Sequence, residues 1–151
     1  MGAWGSGTFQ NDSALDWLGD LRESSGSSLI RKALNRVIDH QGATHSPPSF
    51  LRRLLGRSRS ADGLTADAAS EALAAAEIVT AWLGRPPAEL PDGIMEWLET
   101  HSSSLQPELV ALATKAVNIV RTNSELKDLW EEGDASEWYE AVLDLNRRLQ
   151  N

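Results

Sequence analysis

Between Thr65 and Gly84 eight of the eighteen intervening residues are alanine, and only Asp67, Glu71 and Glu77 carry charge. Alanine has the best helix propensity, and a methyl surface lets a neighbouring helix approach closely. Thr65 is a natural N-cap and Gly84 a natural stop. Ala68, Ala69, Ala72, Ala75, Ala76, Val79, Trp82 and Leu83 form one apolar arc at helical spacing. The segment predicts a long helix at the centre of a helical fold.

The flanking sequence repeats the helical period. Asn11, Asp12 and Ser13 announce a first helix with Ala14, Trp17, Leu18 and Leu21 on one face. After a polar break at 23–28, Ile30, Ala33, Leu34, Val37 and Ile38 mark a second, which Gly42 should stop. Pro91-Asp92 opens a short helix with Ile94, Trp97 and Leu98, and Pro107 a longer one with Leu109, Leu112, Ala113, Ala116, Val117 and Val120. Ser124 caps a short helix carrying Leu126, Leu129 and Trp130. Asp134 with Glu137 suggests a capping box for the last, which places Trp138, Val142, Leu145 and Leu149 together. No segment alternates like a strand. The expectation is an all-α, single-domain globular bundle over residues 1–151, with about six or seven helices and a glycine-rich N-terminal arm.

Charge divides the chain. Residues 1–23 hold four acids and one base, residues 24–61 seven bases and one acid, and residues 62–151 seventeen acids and six bases. The net charge of −8 argues against general nucleic-acid binding and suits a basic protein partner. Pro47-Pro48 interrupts residues 43–63, which read as a flexible basic loop with Arg52, Arg53, Arg57 and Arg59. These arginines are candidates for electrostatic docking; the blander reading is a solvated loop. The absence of cysteine, of an apolar run of about 20 residues and of a charged, apolar leader gives the expectation of a cytoplasmic protein that does not meet membranes.

At the N-terminus Gly2, Gly5 and Gly7 alternate with Ala3, Trp4 and Phe9. Glycine permits positive φ and close backbone approach, so the arm should fold tightly with both rings inward. This arm with Asn11 and Asp12, the stretch Ala74-Ala75-Ala76-Glu77-Ile78-Val79, and Ser124-Glu125-Leu126-Lys127-Asp128-Leu129-Trp130 with the Trp138 helix resemble a mainly bacterial family known as domain of unknown function 4259. The resemblance covers most of the chain and implies no activity. It marks Gly2, Trp4, Gly5, Gly7, Phe9, Asn11, Asp12, Glu77, Leu129 and Trp130 as signature positions. Around 43–63 the connection is longer than in the family pattern.

Asp12, Asp16 and Asp20 step by four, with Glu23 close to the same line. Such a row can attract a basic partner or a hard cation, but one helix face does not converge on a metal, so a solvated face is the plainer reading. The histidines, His40, His45 and His101, lack metal-ligand spacing, and no nucleophile elbow, P-loop or dinucleotide fingerprint is present. No cofactor or metal is expected. Trp4 lies outside any periodic segment and is a candidate contact residue, whereas the other five tryptophans sit on apolar helical faces. A helical wheel puts Glu77 with Asp67, Ser70 and Ala74, at a boundary from which it could tie down the arm.

These features favour a non-enzymatic protein-interaction module, of immunity or antitoxin type, as a monomer or weak homodimer. The alternative is an enzyme with a carboxylate site near the arm, drawing on Asp12, Asp16 or Glu77.

Overall fold

The computed structural model describes residues 5–43 and 64–151, with side chains assigned at 5–40 and 64–151. Gly2, Trp4, Arg52, Arg53, Arg57 and Arg59, and with them the expected basic loop, lie outside the described residues. Within them there are seven α-helices and no strand: α1 (Asp12–Glu23), α2 (Ser28–Ala43), α3 (Ala66–Trp82), α4 (Ile94–His101), α5 (Glu108–Thr122), α6 (Glu125–Glu131) and α7 (Ser136–Gln150). A single 3-10 turn, Ser102–Ser104, follows α4. The all-α expectation holds.

Helix α3 is the centre. It touches every other described helix, and from Ala66 to Ala81 only Asp67 and Glu71 escape burial. The arc read from sequence is therefore too narrow: the opposite face, Ser70, Ala74 and Glu77, is covered as well. Alanine makes this possible, because small side chains let helices pack close to all sides of one axis. Leu18, Leu21, Ile30, Leu34 and Val37 of α1 and α2 join Leu109, Val117 and Val120 of α5 and Leu145 of α7 in the surrounding core. Trp17, Trp97 and Trp138 are buried, while Trp82 and Trp130 pack partly covered against the same core.

Local chemistry sets most boundaries. The Asn11 side chain accepts from the Ala14 N–H, Thr65 from Ala68, and Ser124 from Lys127, each satisfying an orphan donor of a first turn. Gly84 adopts φ +83, and the N–H groups of Gly84 and Arg85 bond the carbonyls of Ala81 and Thr80. That is a Schellman closure, which favours glycine at the left-handed position.

Two expected boundaries differ. Helix α2 continues through Gly42 to Ala43, because glycine weakens a last turn without removing its hydrogen bonds. The capping box at Asp134 and Glu137 does not form. Ala135 is the N-cap of α7, and the Asp134 carboxylate accepts from the Ser136 N–H at 3.0 Å and its hydroxyl at 2.6 Å. Asp134 thus stands one position too early and makes a short Asx-type contact instead.

The packing of α3 predicts the behaviour of enlarged alanines. Ala75→Leu should destabilise the fold by about 1–3 kcal/mol, measured by urea unfolding. Ala111→Leu, at an exposed site of α5, should leave the midpoint nearly unchanged.

Candidate functional site

The described part of the arm is knitted by its own polar groups. The Gly7 N–H donates to Gln10 Oε1 at 2.9 Å, the Gln10 N–H to the Gly7 carbonyl, and Asn11 Nδ2 to the Thr8 carbonyl. Neither Gly5 nor Gly7 has positive φ. Their glycine character serves close approach: a Cβ would meet Gln10 Oε1 at 2.2 Å on Gly5 and 2.9 Å on Gly7. Phe9 turns inward and packs partly buried on the core.

The arm is fastened to a buried ion pair. Glu77 is 3% exposed, against the boundary position that the helical wheel gave it. Its carboxylate receives both arms of the Arg148 guanidinium from α7, Nη1 to Oε2 at 2.7 Å and Nη2 to Oε1 at 3.0 Å. Thr8 Oγ1 donates to Glu77 Oε1 at 3.2 Å, which is the tie between Glu77 and the arm that the sequence suggested. The Thr80 hydroxyl lies 2.8 Å from the Glu77 carbonyl and 3.3 Å from Oε2. Arg148 further donates through Nη1 to Thr80 Oγ1 at 3.1 Å and the Arg85 carbonyl at 3.3 Å, and through Nε to Asp144 at 2.7 Å. Burial works against the charged guanidinium, but the bonds to Glu77 and Asp144 outweigh it and hold its pKa above the ordinary value. One network thereby joins the arm, α3, the chain after α3 and α7.

Sequence reading missed Arg148. The available signal was an acid inside an alanine helix, since a buried carboxylate requires a cation. Nothing in the sequence distinguishes Arg148 from Arg147 except its place beside the apolar stripe of α7.

Signature positions far apart in sequence meet around the arm. Gly5, Gly7 and Asn11 line a crevice with Trp130 and Trp138 whose volume, about 20 Å³, matches a single water. Leu129 packs partly buried against the core. On the other side of the arm a larger cavity of about 490 Å³ opens between Thr8, Phe9, the Pro87–Pro91 connection and α7, with Glu77 and Arg148 in its lining.

The acidic row occupies a different surface. Asp12, Asp16, Asp20 and Glu23 are exposed along α1, and none of them lines the cavity. Asp67 and Glu71 of α3 extend the row. Ser13 Oγ donates to Asp67 at 2.6 Å, and Glu71 makes a 3.4 Å ion pair with the exposed Arg36. Burial raises the Glu71 pKa; Arg36 opposes the rise, and Asp67 and Asp20 add to it. Among the described residues no group of three or more His, Asp or Glu side chains is arranged to hold a metal ion. Nor is any described helix long and apolar enough to cross a membrane.

Two outcomes follow. Arg148→Met should cost about 3–5 kcal/mol in denaturant unfolding, because Glu77 is left charged and unpaired in the interior. The double variant Glu77→Met/Arg148→Met should recover much of that loss. The raised pKa of Glu71 means that the folded state holds this proton more tightly than the unfolded chain. Its contribution to stability is greatest below the usual carboxylate range and is lost as pH rises through the folded-state pKa. Glu71→Gln should therefore raise the melting temperature at neutral pH, with the gain shrinking in acid.

The chain matches the model of a protein family described as Domain of unknown function (DUF4259), over residues 2–46 and 41–141. The two stretches meet where the expected basic loop begins. No curated protein and no solved structure matches the chain. The chain belongs to the DUF4259 family.

Proposed function

We propose that this member of the DUF4259 family is a non-enzymatic interaction module that presents an acidic ridge to a basic protein partner. The carrying observation is the ridge itself, Asp12, Asp16 and Asp20 on α1 with Asp67 and Glu71 beside them on α3. These carboxylates repel one another in the free protein, and Arg36 pairs with Glu71 alone. A basic partner relieves that repulsion, and complementary charge speeds encounter and selects against acidic competitors. The rigid, closely packed α3 behind the ridge fixes the spacing of the charges. An immunity or antitoxin role is one form that such a module takes, in the cytoplasm, as a monomer or weak dimer.

The other reading is an enzyme using carboxylates beside the arm, and the cavity there favours it. Against it, both Glu77 oxygens are already engaged by Arg148, Thr8 and Thr80, so this carboxylate has little freedom to exchange a proton with a substrate.

The test is affinity capture from native-host lysate at low and high salt, with wild type beside an Asp12→Asn/Asp16→Asn/Asp20→Asn variant and mass spectrometry of the retained proteins. A basic protein held by wild type at low salt, released at high salt and missing from the variant is the expected result. Identical proteins retained by both chains would remove the ridge from the reading.

A further inference from the structure

The cavity beside the arm has a lining whose charges do not cancel. Among the described residues of the lining, Glu77, Glu89 and Asp144 contribute three carboxylates and Arg148 is the single cation. Arg148 cannot serve an incoming anion well, since Glu77, Asp144, Thr80 and the Arg85 carbonyl engage four of its five N–H groups. Glu77 is equally occupied. The free acceptors are elsewhere: Asp144 bonds Arg148 through Oδ2 alone, and Glu89 has no hydrogen-bond or ion-pair partner among the described residues. Phe9, Leu90, Pro87 and Pro91 make the remaining wall largely apolar.

We infer that this cavity is a binding site for a small primary amine with an apolar body. At about 490 Å³ it falls within the range of small-molecule pockets. A neutral apolar occupant makes no use of the free carboxylate oxygens of Asp144 and Glu89, both of which are exposed. An anion would face three carboxylates. An ammonium supplies three donors to Asp144 Oδ1 and Glu89, while its apolar body covers Leu90 and the prolines. The Phe9 ring adds a face able to attract a cation. The Glu77–Arg148 pair acts here as a positioning element: it fixes Asp144 through Arg148 Nε and the arm through Thr8. This inference is independent of the ridge on α1.

Calorimetric titration of the full chain with phenethylamine, and separately with 3-phenylpropionate, tests it. The amine should bind with a Kd in the millimolar range or tighter, and the carboxylate should give no saturable heat. Glu89→Gln/Asp144→Asn should weaken amine binding by at least about tenfold. Glu89→Gln alone, at an exposed residue without a partner among the described residues, should weaken it measurably while the melting curve stays unchanged. Absence of amine binding, equal binding of the carboxylate, or undiminished binding by Glu89→Gln would each overturn the inference. The Asp12→Asn/Asp16→Asn/Asp20→Asn variant should bind the amine like wild type, so failure of the ridge and failure of the cavity are separable.

Discussion

The bidentate contact between Glu77 and Arg148 ties the arm, α3, the chain after α3 and α7 into one polar network. Glu77 lies in the most deeply packed helix of the fold and is 3% exposed, so its charge is largely withdrawn from bulk water. Arg148 reaches it across the contact of α3 with α7, and the fit of a planar guanidinium to a carboxylate fixes distance and direction at once. From that pair, Thr8 secures the arm and the Arg85 carbonyl secures the chain leaving α3. A buried ion pair adds little net stability compared with well-packed apolar residues, because desolvation offsets most of the attraction. Its strength here is directional: it penalises any arrangement of the arm or α7 that leaves one partner alone.

The pair depends in turn on alanine. With Leu or Phe on the outer face of α3, the arm and α7 could not come close enough for Thr8 and Arg148 to meet one carboxylate. Small residues therefore determine where the polar chemistry stands. They also force the large side chains outward to the surrounding helices, where Trp17, Trp97 and Trp138 fill the spaces between layers. The result is one end of the molecule with a polar knot, a cavity and a folded arm, and a separate α1 surface rich in exposed carboxylates. Those two regions support different kinds of recognition, one by shape and a few donors, the other by field.

Much of the architecture was legible because its causes are local. Asn11, Thr65 and Ser124 cap helices through side-chain oxygens that accept from the N–H three residues on, and Gly84 closes α3 with a conformation that glycine adopts at low cost. Of the candidate site, the link between Glu77 and the arm was legible, but its burial was not. A helical wheel ranks faces by side-chain polarity, and it ranked a face of Ser70, Ala74 and Glu77 as peripheral. The arm and α7 cover that face, and neither is visible from the periodicity of α3. Gly5 and Gly7 were legible as special, and of the two reasons glycine offers it is close approach, to the Gln10 side chain, and not positive φ that applies.

By itself, then, the sequence determined the helices, the side-chain caps of α1, α3 and α6, the central place of the alanine segment and the exposed acidic row on α1. Those follow from backbone hydrogen bonding and amphipathic period, which act over a few residues. Only the tertiary structure decided that Arg148 is the partner of Glu77, 71 positions away, and that Asp144 and Glu89 share a cavity with the arm. Partner choice for a buried charge depends on which helices can approach closely enough to exclude water. That is a property of packing in three dimensions, to which spacing along the chain contributes nothing.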